Sequence, residues 1–295
     1  MDKLNNEVAI EEENDILESE DEEVVLVDEN EENANKVKDY FFKETGLSIK
    51  DLATLFGQSE EEISKEFSSY KAKKLYSKMD YIIDEPCLSL EDFKEKCLLA
   101  EKYGFKSVTV LPTFVSYAKT LLSGKGISVR GLIAYPFGEE LYKVKLYAVK
   151  KAIQLGVNAI LISPSIRAIK SGNYKVVAKE IKRVVRCAKK RQVTVMLDEN
   201  LLSYTEIEGV VKAILKDSRV YSIMSSSVFS NKLSDVQVLK TLSVLVDGKC
   251  HVESGGKIQT ACQTVQLLSG GANSVSSKYC PDIAKELNMK IISSV

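Results

Sequence analysis

The chain reads Tyr221-Ser222-Ile223-Met224-Ser225-Ser226-Ser227-Val228-Phe229 where a short apolar run meets three consecutive serines. This pattern predicts a buried strand that ends in a hydroxyl-rich loop. A second piece farther along, His251-Val252-Glu253-Ser254-Gly255-Gly256, joins another apolar run to a glycine turn. If both strands belong to one parallel barrel, their carboxyl ends lie on the face where such barrels carry their functional groups.

From Lys78 onward, short apolar runs alternate with amphipathic segments. The apolar runs are continuous, as expected for strands that are buried on both faces. Glycines at Gly104, Gly156 and Gly270 mark predicted helix ends. Eight strand–helix units predict an α/β fold, a TIM (β/α)8 barrel over residues 78–295. The predicted strands are 79–83, 106–111, 127–135, 158–163, 193–198, 219–224, 249–253 and 273–276, and the predicted helices are 89–103, 113–123, 139–155, 174–190, 203–217, 232–247, 258–269 and 281–289.

The charge of the chain is divided by position, although the net charge of the 295 residues is only −1. Residues 1–33 hold fifteen acids and one base, whereas the remainder holds 40 bases and 27 acids. An acidic block of this kind predicts a solvated, disordered N-terminal tail. A second hypothesis is that the tail covers a basic surface of the same protein and competes with anionic ligands.

Residue usage excludes several classes of protein. No apolar run reaches the roughly 18–20 residues that span a bilayer, and the acidic N-terminus predicts no secretory signal. The six scattered cysteines, without a CxxC pair, predict reduced thiols in a cytoplasmic protein. Because His251 is the single histidine, neither a zinc site nor a histidine-based triad is expected.

Residues 34–77 predict a small helical segment. Ser48 and Ser59 are candidate helix caps, and Gly57 between them gives a spacing similar to a helix-turn-helix. The second helix, however, offers four glutamates against Lys65 alone, and phosphates would repel that face. A packing or docking unit is therefore favoured over DNA binding.

Residues 78–295 resemble the deoxyribose-phosphate aldolases, which are class I aldolases of the barrel type. The similarity rests on motifs that occur in the same order as in the family, and it implies the barrel fold and an aldolase-like site. The matching segments are Asp80-Tyr81-Ile82-Ile83-Asp84-Glu85-Pro86, Ser107-Val108-Thr109-Val110-Leu111-Pro112, Leu132-Ile133-Ala134-Tyr135-Pro136-Phe137-Gly138 with Lys145 after it, Arg167-Ala168-Ile169-Lys170-Ser171-Gly172-Asn173, Ser254-Gly255-Gly256 and Gly271-Ala272.

The family's reaction requires a lysine amine that forms a Schiff base, a second cation that lowers its pKa, and an acid/base group. The resemblance places Met224 at the Schiff-base lysine, or Ile223 if the alignment shifts by one residue. It places Val252 at the neighbouring cation and Leu161 at a barrel carboxylate. These replacements are apolar, so the resemblance implies that no catalytic residue of the family is intact. A coordinated replacement of this kind leaves a packed, neutral core rather than a stranded charge. Two further family positions are changed: Ala159 stands at a carboxylate and Thr194 at a lysine, while Asp198 keeps an acidic neighbour.

Anion binding is the family property that the motifs retain best. Glycine turns present backbone N–H groups that bind phosphate, and serine hydroxyls can add donors. The alternative is a serine-lined pocket that holds only water. Val228 stands where the family has a glycine. The candidate phosphate-binding residues are Gly255, Gly256, Ser225, Ser276 and Ser277.

These observations support three hypotheses. The first is a pseudoenzyme: a non-catalytic barrel that binds a phosphosugar or other small anion, or pairs with itself or an active aldolase-like relative. The second is an active lyase with a relocated amine, for which Lys257 and Lys278 are the candidates. The third, from a different class, is a DNA-linked regulator that senses a metabolite. No cofactor, metal or membrane contact is expected, and nucleic acid is disfavoured as a partner.

Overall fold

The computed structural model describes Ser59 and residues 73–227, 229–230 and 232–293. The strands within these residues are parallel and close into a barrel in chain order, so that the last strand pairs with the first. The prediction of a TIM (β/α)8 barrel is therefore confirmed. The strands are β1 (Met79–Ile83), β2 (Ser107–Val110), β3 (Ser128–Ile133), β4 (Ala159–Ile162), β5 (Gln192–Met196), β6 (Ser222–Met224), β7 (His251–Ser254) and β8 (Ser274–Ser277).

Helices follow the strands along the chain, and several of them begin at residues whose side chains cap the free backbone N–H groups. Ser89, Ser203 and Thr260 each accept a hydrogen bond from the third residue of the helix, completing a capping box. The helices are α1 (Leu90–Tyr103), α2 (Val115–Leu122), α3 (Tyr142–Gln154), α4 (Ile166–Lys170), α5 (Tyr174–Ala188), α6 (Tyr204–Asp217), α7 (Val236–Val246), α8 (Ala261–Ser269) and α9 (Cys280–Ser293).

Two short elements were not predicted from the sequence. One is a 3-10 turn over Pro112–Phe114, and the other is α4, the five-residue helix after β4. Ser165 begins α4 by accepting a hydrogen bond from the Ala168 amide. Both elements are shorter than the window over which helical periodicity can be recognised, so the apolar pattern alone could not reveal them.

Strand side chains divide between two apolar layers because successive residues of a strand point to opposite faces. Ile160, Val195 and Ile223 belong to the outer layer, where strands pack against helices. The inner layer fills the barrel lumen. Its members are Ile82, Leu132, Leu161, Met196 and Met224.

Residues Gln58–Val295 form one unit of the chain, and Met1–Gly57 are assigned to another. The residues described here belong to the unit Gln58–Val295. The acidic segment 1–33, the helix-turn-helix-like segment apart from Ser59 and residues 73–77, and Val228 lie outside the described residues. Among the helices that are described, none has the length and apolar character needed to cross a membrane.

Candidate functional site in the barrel lumen and mouth

The inner apolar layer occupies the level of the lumen where the resemblance places the family's chemistry. Met224 is fully buried, and it lies in this layer with Leu161 from β4 and Met196 from β5. Gly255 completes the packing, because a Cβ atom at this position would collide with Met224 Cε and with the backbone of Ser226. The lumen at this level is thus closed by hydrocarbon and thioether groups.

Ile223 and Val252 do not face the lumen. Both side chains lie in the outer layer, towards the helices. In the pairing of β6 with β7, Met224 is in register with Glu253, and the Glu253 carboxylate points into the barrel. The lumen residue of β7 beside Met224 is therefore Glu253 rather than Val252, which the sequence motif had suggested.

Below the apolar layer, a buried arginine is held between two carboxylates. Arg130 Nη2 lies 2.7 Å from Glu253 Oε1, and Nη1 lies 3.0 Å from Glu253 Oε2. The same guanidinium forms an ion pair with Asp80, and its Nε donates to Thr109 Oγ1 at 2.7 Å. Ser276 Oγ lies 3.0 Å from Arg130 Nη2. These contacts join β1, β2, β3, β7 and β8 across the lumen.

The charge states of this cluster follow from opposing effects. Burial alone would lower the pKa of Arg130, but the negative charges of Asp80 and Glu253 outweigh it and raise that pKa. Burial would likewise raise the pKa of Glu253, yet the attraction of Arg130 and its hydrogen bonds hold this pKa below the usual value. Arg130 and Glu253 therefore form an ionised pair, and Asp80 contacts the same guanidinium.

Above the apolar layer, a polar trio lies at the ends of β1, β3 and β8. The Tyr135 hydroxyl donates to Asp84 Oδ2 at 2.8 Å, and Lys278 Nζ lies 2.8 Å from Asp84 Oδ1. The Asp84 side chain is almost fully buried, whereas that of Lys278 is 33% exposed. Burial, followed by the nearby charge of Asp84, raises the pKa of the Tyr135 phenol, which stays protonated as a donor.

Tyr135 of this trio also contacts an aromatic ring from another loop of the mouth. Phe229, from the loop after β6, contacts Tyr135 and Phe137 edge to face, with ring centroids 6.3 and 5.6 Å apart. Tyr135 also packs on the inner apolar layer. The rings thus bridge the loops that follow β3 and β6.

The loops after β5 and β6 are joined by a half-buried carboxylate. Glu199 Oε1 accepts the Asp235 amide at 2.6 Å, and Oε2 accepts the Ser234 hydroxyl at 3.1 Å. Burial raises the pKa of Glu199 to about 7, although these two hydrogen bonds oppose the shift. The adjacent Asp198 accepts the Asn200 amide at 3.0 Å, and burial raises its pKa as well.

Each of the three predicted phosphate-binding hydroxyls already has a partner within the protein. Ser225 Oγ lies 2.7 Å from Ser234 Oγ, and Ser277 Oγ donates to the Ile258 carbonyl at 2.6 Å. Ser276 takes part in the arginine cluster, below the apolar layer. Gly255 and Gly256 follow β7 at the mouth, and Gly256 has a φ of +92°, which favours glycine. The structure therefore places the two glycines at the mouth, whereas the three serine hydroxyls are hydrogen-bonded within the protein.

The two candidate lysines differ in their surroundings. Lys278 belongs to the polar trio, at the face where barrel chemistry occurs. Lys257 follows the glycine turn, and its backbone amide donates to the Lys232 carbonyl at 2.9 Å. Of the lysines in the described residues, only Lys145 is buried, and it pairs with Glu180 outside the lumen.

Proteins similar to this chain in sequence share one description, deoxyribose-phosphate aldolase. Deoxyribose-phosphate aldolase of Acholeplasma laidlawii is 29% identical over 200 residues, covering 68% of this chain and 90% of the relative. The deoxyribose-phosphate aldolase of Mycoplasmoides pirum is 28% identical over 213 residues, covering 71% of this chain and 96% of the relative. The chain is a homologue of the deoxyribose-phosphate aldolases. No protein-family model matches it.

The aldolase homologue also shares its fold with solved structures. A tetrameric deoxyribose phosphate aldolase from Aeropyrum pernix superimposes with a TM-score of 0.65 at 19% identity, covering 79% of this chain and 98% of that chain. At this identity the likeness concerns the fold alone. The tetramer is a property of that relative.

Sequence reasoning missed four polar residues of the lumen and mouth: Arg130, Glu253, Asp84 and Tyr135. The signal for Arg130 was present, because a charged residue interrupts the apolar run Ser128-Val129-Arg130-Gly131-Leu132-Ile133 at an inward position. A charge within a strand buried on both faces must have a partner, and Glu253 on β7 is the matching interruption.

Proposed function

We propose that this aldolase homologue does not form a Schiff base at the family's lysine position and acts as a binding or regulatory barrel. The observation that carries the proposal is the inner apolar layer, in which the thioether of Met224 lies among Leu161, Met196 and their neighbours. A thioether has no nitrogen with which to attack a carbonyl.

The arginine cluster supports the same proposal. Arg130 is the cation of the lumen, and its raised pKa keeps it protonated. A guanidinium that is permanently charged cannot serve as a nucleophile or exchange protons near neutral pH. The lumen thus combines an unreactive apolar layer with an ion cluster that stabilises the barrel.

The ligand that fits this proposal is a phosphorylated metabolite or another small anion at the mouth. Gly255 and Gly256 provide backbone at the end of β7, and Lys278 provides a partly exposed ammonium group. The engaged hydroxyls of Ser225 and Ser277 would have to exchange partners to contribute. Association with a second copy or an active relative remains part of the proposal.

The test is reductive trapping. The full chain is incubated with deoxyribose 5-phosphate and borohydride, and its intact mass is measured, with the Acholeplasma laidlawii aldolase as positive control. We expect an adduct on the control and none on this chain. A covalent adduct of the expected mass would overturn the proposal. Thermal shift with deoxyribose 5-phosphate, ribose 5-phosphate and inorganic phosphate then measures non-covalent binding.

A second candidate function is a lyase that uses Lys278, because this amine is partly exposed at the mouth. Its ion pair with Asp84 disfavours this function, since an attacking amine must first lose its proton and Asp84 would lose its ion partner. If an adduct is trapped, its loss in Lys278→Ala would assign it to this amine. Retention of the adduct in both Lys257→Ala and Lys278→Ala would exclude the two relocated amines.

A further inference from the structure

The outward face of α5 carries a row of basic side chains that takes no part in the site described above. Four exposed residues recur at intervals of three or four: Lys175, Lys179, Arg183 and Arg186. Such intervals place side chains on one face of a helix. At 1.5 Å per residue, the row is about 17 Å long.

These charges are not neutralised by neighbouring acids. Within the described residues, none of the four has a carboxylate at ion-pair distance. The one acid of α5, Glu180, is engaged by the buried Lys145 at 2.8 Å. Arg183 stacks on the ring of Tyr142, 4.9 Å from its centroid, and this contact orders the guanidinium without reducing its charge.

Helix α3 extends the surface on the side where Tyr142 and Lys145 contact α5. The exposed Lys143 and Lys150 continue the positive charge. The N-cap and first two turns of this helix also carry an apolar row, three side chains that are largely exposed. This row consists of Leu141 (78%), Val144 (51%) and Tyr147 (61%).

The basic row and the apolar row together indicate which kind of partner could bind to this face. A row of cations attracts any polyanion, but a phosphate backbone would leave exposed aliphatic groups such as Val144 unburied. An acidic polypeptide with aliphatic side chains satisfies both rows, because its carboxylates pair with α5 while its apolar groups cover α3. We propose that the α3–α5 face binds a partner protein through an acidic segment that also carries aliphatic residues.

The test measures the fluorescence anisotropy of a labelled synthetic peptide of mixed glutamate and leucine as the full-length protein is added. We expect affinity that falls with salt and that drops about tenfold, or about 1.4 kcal/mol, in the triple variant Lys179→Gln, Arg183→Gln, Arg186→Gln. The matched control neutralises three exposed lysines elsewhere, Lys102, Lys216 and Lys240, and should leave the affinity unchanged.

A second variant separates a protein partner from a nucleic acid. The variant Leu141→Ser, Val144→Ser, Tyr147→Ser keeps the charge and removes the apolar row. We expect weaker peptide binding and no change in the weak binding of a labelled DNA duplex. The proposal is overturned if the peptide binds neither the full chain nor a chain without the acidic residues 1–33, if the control variant weakens binding equally, or if the duplex binds more tightly than the peptide.

Discussion

Arg130 Nη2 lies 2.7 Å from Glu253 Oε1 in the lumen, directly beneath the layer that contains Met224. Neither residue belongs to the motifs that relate the chain to the aldolases. Together with Asp80 they form a charged level inside a barrel whose next level is apolar. The contribution of the charged level to the free energy of unfolding can therefore be measured by replacing its residues.

The first prediction concerns the cost of removing the arginine. Arg130→Met leaves the carboxylates of Asp80 and Glu253 buried without their cation. Breaking a buried ion pair in this way costs about 3–5 kcal/mol. Urea unfolding at neutral pH measures the change, with the exposed Arg186→Met as control, for which a change within about 0.5 kcal/mol is expected. Equal stabilities of the two variants would contradict the role of Arg130.

The second prediction restores an amine to the inner layer. Met224→Lys buries an ammonium among apolar side chains, and burial lowers the pKa of a lysine so that part of it is neutral at pH 7. We expect lower stability and reductive trapping of a small aldehyde such as acetaldehyde. Ile223→Lys is the control, because its side chain points to the outer layer and is not expected to be trapped. Trapping at residue 223 but not at residue 224 would contradict the assignment of Met224 to the lumen.

The third prediction concerns pH. The pKa of Glu199 is raised to about 7 in the folded chain from 4.5. Its stabilising contribution is therefore complete below about pH 4.5 and is lost as pH rises through 7, on the order of 3 kcal/mol. The free energy of unfolding, measured by urea denaturation, should show this excess loss between pH 5 and pH 8. Glu199→Gln should remove this excess, whereas Glu208→Gln on α6 should keep it.

The fourth prediction concerns the mouth. Tyr135→Phe removes the hydroxyl that donates to the buried Asp84 carboxylate. A hydrogen bond to a charged group contributes about 1.5–3 kcal/mol, so we expect a loss of this size in chemical denaturation. Tyr204→Phe, at an exposed tyrosine, serves as the control. If the two variants lose the same stability, Tyr135 does not hold Asp84.

The strand–helix alternation was sufficient to predict the barrel, because each buried strand gives a continuous apolar run. The site was harder to predict. Motif matching placed Val252 at a lumen position, but a shift of one residue along a strand reverses the direction of its side chain, and the inward residue is Glu253. The role of Lys278 was also open, since its partner Asp84 is distant in sequence and adjacent only in the folded barrel.

The contact of Phe229 with Tyr135 and Phe137 has a kinetic consequence. If a ligand binds between the loops after β3 and β6, it must displace this ring contact, and we expect its association to include a conformational step. The observed association rate would then stop rising at high ligand concentration and level off at the rate at which the rings part. The dissociation rate of such a ligand would then depend on how often these three aromatic side chains separate, as well as on the groups that contact the ligand.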